Sequence, residues 1–277
     1  MPTHKKFPKD VMRVLKDTSR TFYIPINLLK EDLKQAVSTA YLVYRAIDEI
    51  EDHETIPNET KTPILMTLSD LFKRPFTEEE YLAVIAPIQE QLPEVSVRLY
   101  DWIEACPETA RPLIMETGSE MAYGMGKWAE RNWDVQTKED LDEYTYYVAG
   151  IVGVLLSKLW DWSYGYDADM DLAIGFGRGL QAVNILRNQD EDMNERGVSF
   201  VPNGWTRDDL FAYADENLAK ADAYIETLTE KSTILFCKLP LEFAHKSLDA
   251  MKEGRKKMSR REVLNTVAQV KKEVDRM

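Results

Sequence analysis

Cysteine is scarce in this sequence, because Cys106 and Cys237 are the only two in 277 residues. They lie far apart and match no metal-ligand spacing, which argues against a disulfide framework and against a cysteine-based zinc site. We therefore expect a reducing, cytoplasmic environment. Residues 1–9 are polar and basic without an apolar segment, so no secretory signal is expected. No run of about 18 apolar residues occurs either, so we expect no transmembrane segment and at most a peripheral membrane contact.

Positive charge is also in deficit, with 35 lysines and arginines against 48 acidic residues and a net charge of −13. Proteins that wrap nucleic acid gain most of their affinity by neutralising phosphates, so we expect no nucleic-acid partner. A local basic pocket for a small diphosphate remains compatible with this balance. We expect a monomer or a weak dimer.

Strand periodicity is absent, and apolar residues recur at helical spacing along the whole chain. No repeat, low-complexity tract or long linker divides the sequence, and 44% of its residues are hydrophobic, which is enough for a packed core. The pattern predicts one all-α domain over residues 1–277, with about ten helices. One local break is predicted at Tyr23-Ile24-Pro25, because proline disfavours the helical conformation in the residue before it.

Two carboxylates end the apolar run from Ala40 to Ile50. Asp48 and Asp52 are four residues apart, so a helix places both on one face, where they repel each other. A solvated acidic helix end would explain the pair without a ligand. Because the preceding segment is apolar and must be buried, a divalent cation is the other explanation. Mg²⁺ favours one or two carboxylates together with water and substrate phosphate oxygens.

A second acidic cluster, Asp190-Glu191-Asp192, ends another apolar segment, Leu180 to Leu186. An arginine precedes each cluster on the same helix, Arg45 in the first case and Arg187 in the second. Arg45 could pair with neighbouring acids or bind a phosphate. Two acid-rich helix ends facing each other across an apolar, aromatic interior would hold Mg²⁺ ions and a diphosphate. Such a site suits ionisation of an allylic diphosphate, since the metal stabilises the leaving group and aromatic rings shelter a carbocation.

Several segments together resemble the motifs of the squalene/phytoene synthase family, in consistent order from about residue 10 to residue 260. They are Ser19-Arg20-Thr21-Phe22, Tyr41-Leu-Val-Tyr-Arg-Ala-Ile-Asp-Glu-Ile-Glu-Asp52, Tyr144-Thr-Tyr-Tyr-Val-Ala-Gly-Ile-Val-Gly153, and Asn184-Ile-Leu-Arg-Asn-Gln-Asp-Glu-Asp192 followed by Arg196 and Phe200-Val-Pro202. Residues 52–57 and 155–159 are more similar to squalene synthases than to phytoene synthases.

The resemblance implies an isoprenoid-synthase-type helical bundle with a central apolar cavity, and it implies a role for each matching residue. Mg²⁺ would be bound by Asp48, Asp52, Glu191 and Asp192, diphosphates by Arg20, Arg45, Arg187 and Arg196, and the prenyl chain by Phe22 and Gly150. Ser19 would contact the substrate, Tyr144 would act near the leaving diphosphate and the transferred proton, and Asn184 would lie near a nicotinamide cofactor, NADPH.

Asn188 departs from the family pattern, because the second aspartate-rich motif begins with aspartate at this position. Asparagine keeps one carbonyl oxygen but lacks the negative charge, so it is a weaker Mg²⁺ ligand. Asp190 is no simple substitute, since residues two positions apart on a helix point in different directions.

Three functions follow from these motifs. The first is head-to-head condensation of two farnesyl diphosphates, through presqualene diphosphate, to squalene or dehydrosqualene. The second keeps the ionisation step but lets water capture the cation, which gives farnesol or another terpene alcohol and amounts to a prenyl diphosphate phosphatase activity. Asn188 motivates this alternative. The third is a non-catalytic prenyl-lipid binding protein, which would have no need of paired metal ligands.

Overall fold

The computed structural model describes residues 9–256 and 258–276, and it leaves the side chains of Arg20, Thr21, Glu195 and Arg196 undescribed. All regular structure in these ranges is helical, which confirms the all-α fold class. No helix among them is long and apolar enough to cross a bilayer. Contacts divide the chain into two compact units, Met1–Arg131 and Asn132–Met277. The single domain over residues 1–277 stays a prediction.

The first unit is a set of helices around a long apolar one, α3. Its helices are α1 (Lys9–Thr18), α2 (Arg20–Asn27), α3 (Glu31–Glu51), α4 (Asn58–Phe72), α5 (Glu78–Ile85), α6 (Glu94–Val97), α7 (Leu99–Ala105) and α8 (Arg111–Glu130). Pro87, Pro93 and Pro107 lie between the helices from α5 to α8 and separate them. Thr77 caps α5 through a reciprocal pair of hydrogen bonds with Glu80.

Helix α3 packs against α1, α4, α6, α7 and α8. Its apolar run is buried on several sides, as the fully buried Leu42, Val43 and Ile47 show. The ring of Tyr44 is buried, and its hydroxyl group donates a short hydrogen bond to the hydroxyl of Thr117 on α8. The burial holds the C-terminal turn of α3, and the acids on it, in a fixed position.

The predicted break at Pro25 is wrong, because Pro25 lies inside α2. Pro25 is the sixth of the eight residues of this helix, so its ring removes one backbone hydrogen bond of the helix. Burial of Ile26 and Leu29 offsets that loss, and Leu28 and Leu29 close the helix with tighter backbone bonds to Pro25 and Ile26.

The second unit consists of α9 (Lys138–Thr145), α10 (Ile151–Tyr164), α11 (Met170–Glu191), α12 (Arg207–Thr227), α13 (Lys231–Lys252) and α14 (Arg260–Arg276). Helix α11 packs along α10, α12 and α13. Two turns with π-helical hydrogen bonding interrupt this pattern. One spans Tyr146–Gly150 between α9 and α10, and the other spans Asp192–Arg196 at the end of α11. The first begins two residues after Tyr144, and the second begins at Asp192.

Glycines let the backbones of α10 and α11 touch. A Cβ atom on Gly153 would lie 2.0 Å from the carbonyl oxygen of Ala173, and one on Gly177 would lie 2.1 Å from that of Ala149. Both distances are far below van der Waals contact, and the obstructing atoms are backbone, which cannot move aside. Close helix crossing therefore explains the glycines of this region.

Gly177→Ala should accordingly destabilise the protein by about 1–3 kcal/mol or more, in spite of the higher helix propensity of alanine, because the added methyl overpacks two backbones. Gly126→Ala is the matched control, since its Cβ would meet the side chains of Leu65 and Met66 at 3.2 Å. Urea unfolding monitored by circular dichroism measures both. Equal midpoints for the two variants would contradict the close crossing.

Candidate active site

Three carboxylates crowd the C-terminal end of α3. One oxygen from each of Asp48, Glu51 and Asp52 lies within 4.8 Å of the others. The last turn of α3 contains no basic residue, and the helix dipole is negative at this end. The arrangement is therefore electrostatically unfavourable without a cation. Carboxylate oxygens are the ligands that Mg²⁺ prefers, so this donor set fits that ion.

Arg45 lies one turn before the cluster and forms ion pairs with Asp48 and Glu49. Of the two roles considered for Arg45, pairing with neighbouring acids or binding a phosphate, the structure therefore shows the first. Arg45 and Asp48 remain about one-third exposed, at 34% and 29%, so both are within reach of a ligand. Burial, and next the charge of Asp52, raise the pKa of Asp48 to about 7 against the opposing effect of Arg45.

Glu51 is a member of the cluster to which the sequence analysis assigned no role. Its side chain is 2% exposed. The nearby ammonium group of Lys61, also buried, donates a hydrogen bond of 2.7 Å to the backbone carbonyl of Glu51. A signal for Glu51 was present, because it stands three residues after Asp48 on the same helix. The predicted metal site required only two acids four residues apart, Asp48 and Asp52, so it gave no role to Glu51.

The segment before α3 reaches the same face of that helix. Ser19 caps α2 by accepting a hydrogen bond from the amide of Phe22 at 3.0 Å. The ring of Phe22 lies 6.1 Å from that of Tyr41, whose hydroxyl bonds to the carbonyl of Thr18. Tyr41 precedes Arg45 by one turn, so Ser19 and Phe22 come close to the helix face that leads to the carboxylates. The side chain of Arg20 lies outside the described residues.

Tyr144 belongs to the second unit and ends α9. Its side chain is buried, and its ring stacks on Phe200 with 4.6 Å between centroids and 17° between planes. Phe200 follows the second acidic motif in the chain. Stacking therefore joins the tyrosine motif to the segment after the second motif, within one compact unit.

Asp142 anchors the turn that carries Tyr144. Its carboxylate accepts a hydrogen bond of 2.8 Å from the hydroxyl of Tyr213, and its backbone carbonyl accepts two from Arg178 of α11. Thr145 approaches the same tyrosine hydroxyl at 3.2 Å. Burial raises the pKa of Tyr213, so this hydroxyl stays protonated as a donor. These contacts fix the end of α9 against α11 and α12.

The amides of the second motif are engaged by one arginine. Arg187 donates to the side-chain oxygen of Asn184 at 2.9 Å and to that of Asn188 at 3.2 Å. In this arrangement the only side-chain oxygen of Asn188 faces a cation. Asn184 also donates a 3.4 Å hydrogen bond to Gln181. The predicted role of Asn184 near a nicotinamide stays a prediction.

Glu191 and Asp192 stand at the end of α11, where the π-helical turn begins. Glu191 is exposed and Asp192 is half-buried. Among the described residues, the cluster on α3 is the only group of three or more candidate ligands, so Glu191 and Asp192 form no such cluster with a third acid. They fit a metal ion less completely than the first motif does. The side chain of Arg196 lies outside the described residues.

Gly150 is buried in the π-helical turn, and a Cβ atom there would lie 3.2 Å from the side chains of Ile174 and Tyr146. Helix packing is enough to explain this glycine. The contact of Gly150 with a prenyl chain stays a prediction, and so does the central apolar cavity.

The raised pKa of Asp48 has a consequence for the metal-free protein. The unfolded chain releases this proton near the ordinary value of 3.8, whereas the folded protein keeps it until about pH 7. Rising pH therefore favours unfolding across this interval. We expect the stability of the wild type to fall relative to that of Asp48→Asn between pH 4 and 7, in urea titrations with a chelator. Asp32→Asn, at the other end of α3, is the control. Parallel pH profiles for wild type and Asp48→Asn would contradict the assignment.

A family model for squalene/phytoene synthase matches residues 15–210. The chain is 28% identical to squalene synthase of Mus musculus over 271 residues, covering 87% of this chain and 63% of the mouse protein. It is 34% identical to squalene synthase of Solanum lycopersicum over 187 residues, covering 66% of this chain and 43% of the tomato protein. The chain thus matches less than two thirds of the length of these relatives.

Solved structures show the same fold. The complex of TcSQS with the ligand BPH1237 superposes with a TM-score of 0.77 at 24% identity, covering 94% of this chain and 86% of that one. A dehydrosqualene synthase in complex with a ligand superposes with a TM-score of 0.63 at 19% identity, covering 97% and 96%. The matched motifs, the family model and the shared fold agree, and the chain belongs to the squalene/phytoene synthase family.

Proposed function

We propose that this protein is a Mg²⁺-dependent prenyl transferase that joins two farnesyl diphosphates head to head, through presqualene diphosphate, to squalene or dehydrosqualene. The observation that carries the proposal is the carboxylate cluster of Asp48, Glu51 and Asp52, with Arg45 one turn away. A lipid-binding protein without catalysis has no need of such a cluster. The similar proteins of Mus musculus and Solanum lycopersicum are squalene synthases.

Asp48, Glu51 and Asp52 would hold Mg²⁺ in the first motif, and Glu191 and Asp192 in the second. The bound ion would supply Lewis-acid stabilisation of the departing diphosphate. Arg45 would exchange part of its pairing with Asp48 and Glu49 for phosphate oxygens once the carboxylates ligate the ion. Arg187 would do the same, which would also release the side-chain oxygen of Asn188.

Aromatic residues of the two motifs would protect the cation that forms when diphosphate leaves. Phe22 and Tyr41 flank the face of α3 that carries Arg45 and Asp48, and ring faces stabilise positive charge. Tyr144 is held rigidly by its stack on Phe200, so its hydroxyl would be positioned for the proton transfer that follows coupling. NADPH, with Asn184 nearby, would decide between squalene, which needs a hydride, and dehydrosqualene.

A second function, release of farnesol, is favoured by one specific observation. Asn188 occupies a ligand position of the second motif without a charge, and Arg187 occupies its oxygen. If the second motif binds metal weakly, the first ionisation proceeds while coupling to the second prenyl group fails. Water then captures the farnesyl cation. Incubation with farnesyl diphosphate, Mg²⁺ and NADPH, with mass spectrometry of the organic extract, distinguishes C30 hydrocarbon, farnesol and no turnover.

The first metal site predicts the effect of removing its charge. Asp48→Asn and Asp52→Asn should each lower diphosphate release by more than the ~10–100-fold typical of losing an outer-shell partner of a metal site. The fold should persist, because loss of like charges does not destabilise a helix. Asp32→Asn should retain full activity. Wild-type rates of diphosphate release by either site variant at saturating Mg²⁺ would exclude the assignment.

The charge at residue 188 predicts the product. Asn188→Asp should need less Mg²⁺ for half-maximal turnover than the wild type, by about tenfold if the restored ligand contributes about 1.4 kcal/mol. It should also shift the product ratio from farnesol towards C30 hydrocarbon or its cyclopropyl precursor. Asn265→Asp adds the same charge at an exposed position of α14 and should change neither quantity. Identical products and Mg²⁺ dependence for wild type and Asn188→Asp would show that residue 188 binds no metal.

A further inference from the structure

One pair of ionisable residues differs in burial from the others in the part of the chain that the structure describes. Glu51 is the only buried acid there, and Lys61 is the only buried lysine or arginine, at 2% and 3% exposed. Lysine and glutamate are almost never fully buried unless they are paired, because removing a charge from water is costly. These two residues contact each other, and the sequence motifs gave a role to neither of them.

The contact joins the end of α3 to the first part of α4. The ammonium group of Lys61 donates a hydrogen bond of 2.7 Å to the backbone carbonyl of Glu51. Glu51 is the last residue of α3, and the last carbonyls of a helix have no donor within the helix. The cap amide of Asp52 bonds to the carbonyl of Asp48, one turn back. Lys61 therefore supplies the donor that the carbonyl at the end of the helix lacks.

A cation is a costly donor for a backbone carbonyl. Elsewhere on α3, the hydroxyl of Ser96 donates a buried hydrogen bond of 3.0 Å to the carbonyl of Ala46. Such a neutral group does the same task without desolvating a charge. What distinguishes the carbonyl of Glu51 is the carboxylate cluster beside it. The choice of lysine at residue 61 is thus connected with that cluster.

Two of the three clustered carboxylates depend on the end of α3 for their position. Asp48 lies inside the helix, whereas Glu51 is its last residue and Asp52 is its cap. Helix ends fray, and fraying here would separate oxygens that lie within 4.8 Å of one another. Mg²⁺ demands near-ideal geometry, with ligand oxygens at about 2.0–2.1 Å from the ion. A contact that holds the last residue of α3 therefore acts on the metal site.

We propose that Lys61 is a positioning residue for the first metal site. By holding the backbone carbonyl of Glu51, it keeps the end of α3 helical and the three carboxylates there close enough to share one Mg²⁺ ion. This role rests on the metal site of the proposed function and adds to it a residue that is not a ligand.

The charge of Lys61 lets the direction of an effect distinguish its possible roles. An ammonium group near the carboxylates repels a divalent cation, so removal of its charge alone would strengthen metal binding. If Lys61 only filled space in the core, its replacement would leave metal binding unchanged. Loss of positioning weakens binding, by about 10–100-fold if Lys61 resembles other residues that orient metal ligands.

Titration with Mn²⁺ measures this effect without turnover, because oxygen ligands that suit Mg²⁺ also suit Mn²⁺. Electron paramagnetic resonance counts the free Mn²⁺ in the presence of the full-length protein. Lys61→Met removes the ammonium group at similar length and should bind at least ~10-fold more weakly than the wild type. Lys73→Met, at the exposed end of α4, should bind as the wild type does. A smaller loss in folded Lys61→Met, or a gain, overturns the proposal.

Amide hydrogen exchange tests whether the end of α3 is the cause. In Lys61→Met, residues 50–53 should exchange faster than in the wild type, whereas residues 42–47 in the buried middle of α3 should not. Unchanged exchange in residues 50–53 overturns the proposal. Lys61→Gln is one bond shorter than lysine and keeps a polar group at the buried position. It is judged by the same two criteria and replaces Lys61→Met if that variant does not fold.

Two further measurements separate failure of this proposal from failure of the proposed function. Asp48→Asn should also bind Mn²⁺ more weakly, because it removes a ligand. A wild type that binds no Mn²⁺, or an Asp48→Asn protein that binds it as the wild type does, contradicts the metal site and overturns the role of Lys61 with it. Diphosphate release from farnesyl diphosphate tests the proposed function alone. If the wild type binds Mn²⁺ but releases no diphosphate, the proposed function is wrong, and metal affinity and hydrogen exchange still decide the role of Lys61.

Discussion

Repulsion among three carboxylates at the negative end of a buried helix is the constraint around which the first unit is built. The backbone that carries Asp48, Glu51 and Asp52 is held in place, because the apolar residues before them are packed on several sides. Arg45 pairs with Asp48 on the exposed side of the helix, and the buried ammonium group of Lys61 bonds to the backbone carbonyl of Glu51. Burial, and next the charge of Asp52, raise the pKa of Asp48 against the opposing effect of Arg45. Like charges crowded at the negative end of a helix dipole favour the approach of positive charge.

Most of this fold could be predicted from the sequence, because helical periodicity and capping are local properties. The helical spacing of apolar residues predicted an all-α chain, and the regular structure of the described residues is helical. The helix break predicted at Pro25 was wrong. Proline does disfavour the helical conformation in the residue before it, but the burial of Ile26 outweighs this preference and depends on contacts that no local pattern reveals.

The sequence predicted which residue types form the site, but it predicted less well which of these residues contact each other. Spacing alone placed Asp48 and Asp52 together, and the same argument admits Glu51, which stands three residues after Asp48 on that helix. Arg45 and Arg187 were both expected to bind phosphate, and the structure shows each of them engaged by its own neighbours. Whether a cation on a helix pairs locally depends on side-chain rotamers, which the sequence does not specify.

The π-helical turn at Tyr146–Gly150 separates two requirements that a regular helix would couple. In an uninterrupted helix each residue advances the side-chain direction by about 100°, so the angle at Tyr144 would dictate which face of α10 meets α11. The wider π-helical turn changes this angle between Tyr144 and the face of α10 that meets α11. The tyrosine can then keep its stack on Phe200 while Gly153 and Gly177 keep their backbone contact. Deleting a single residue from this turn would leave both helices intact but rotate one of the two contacts out of register.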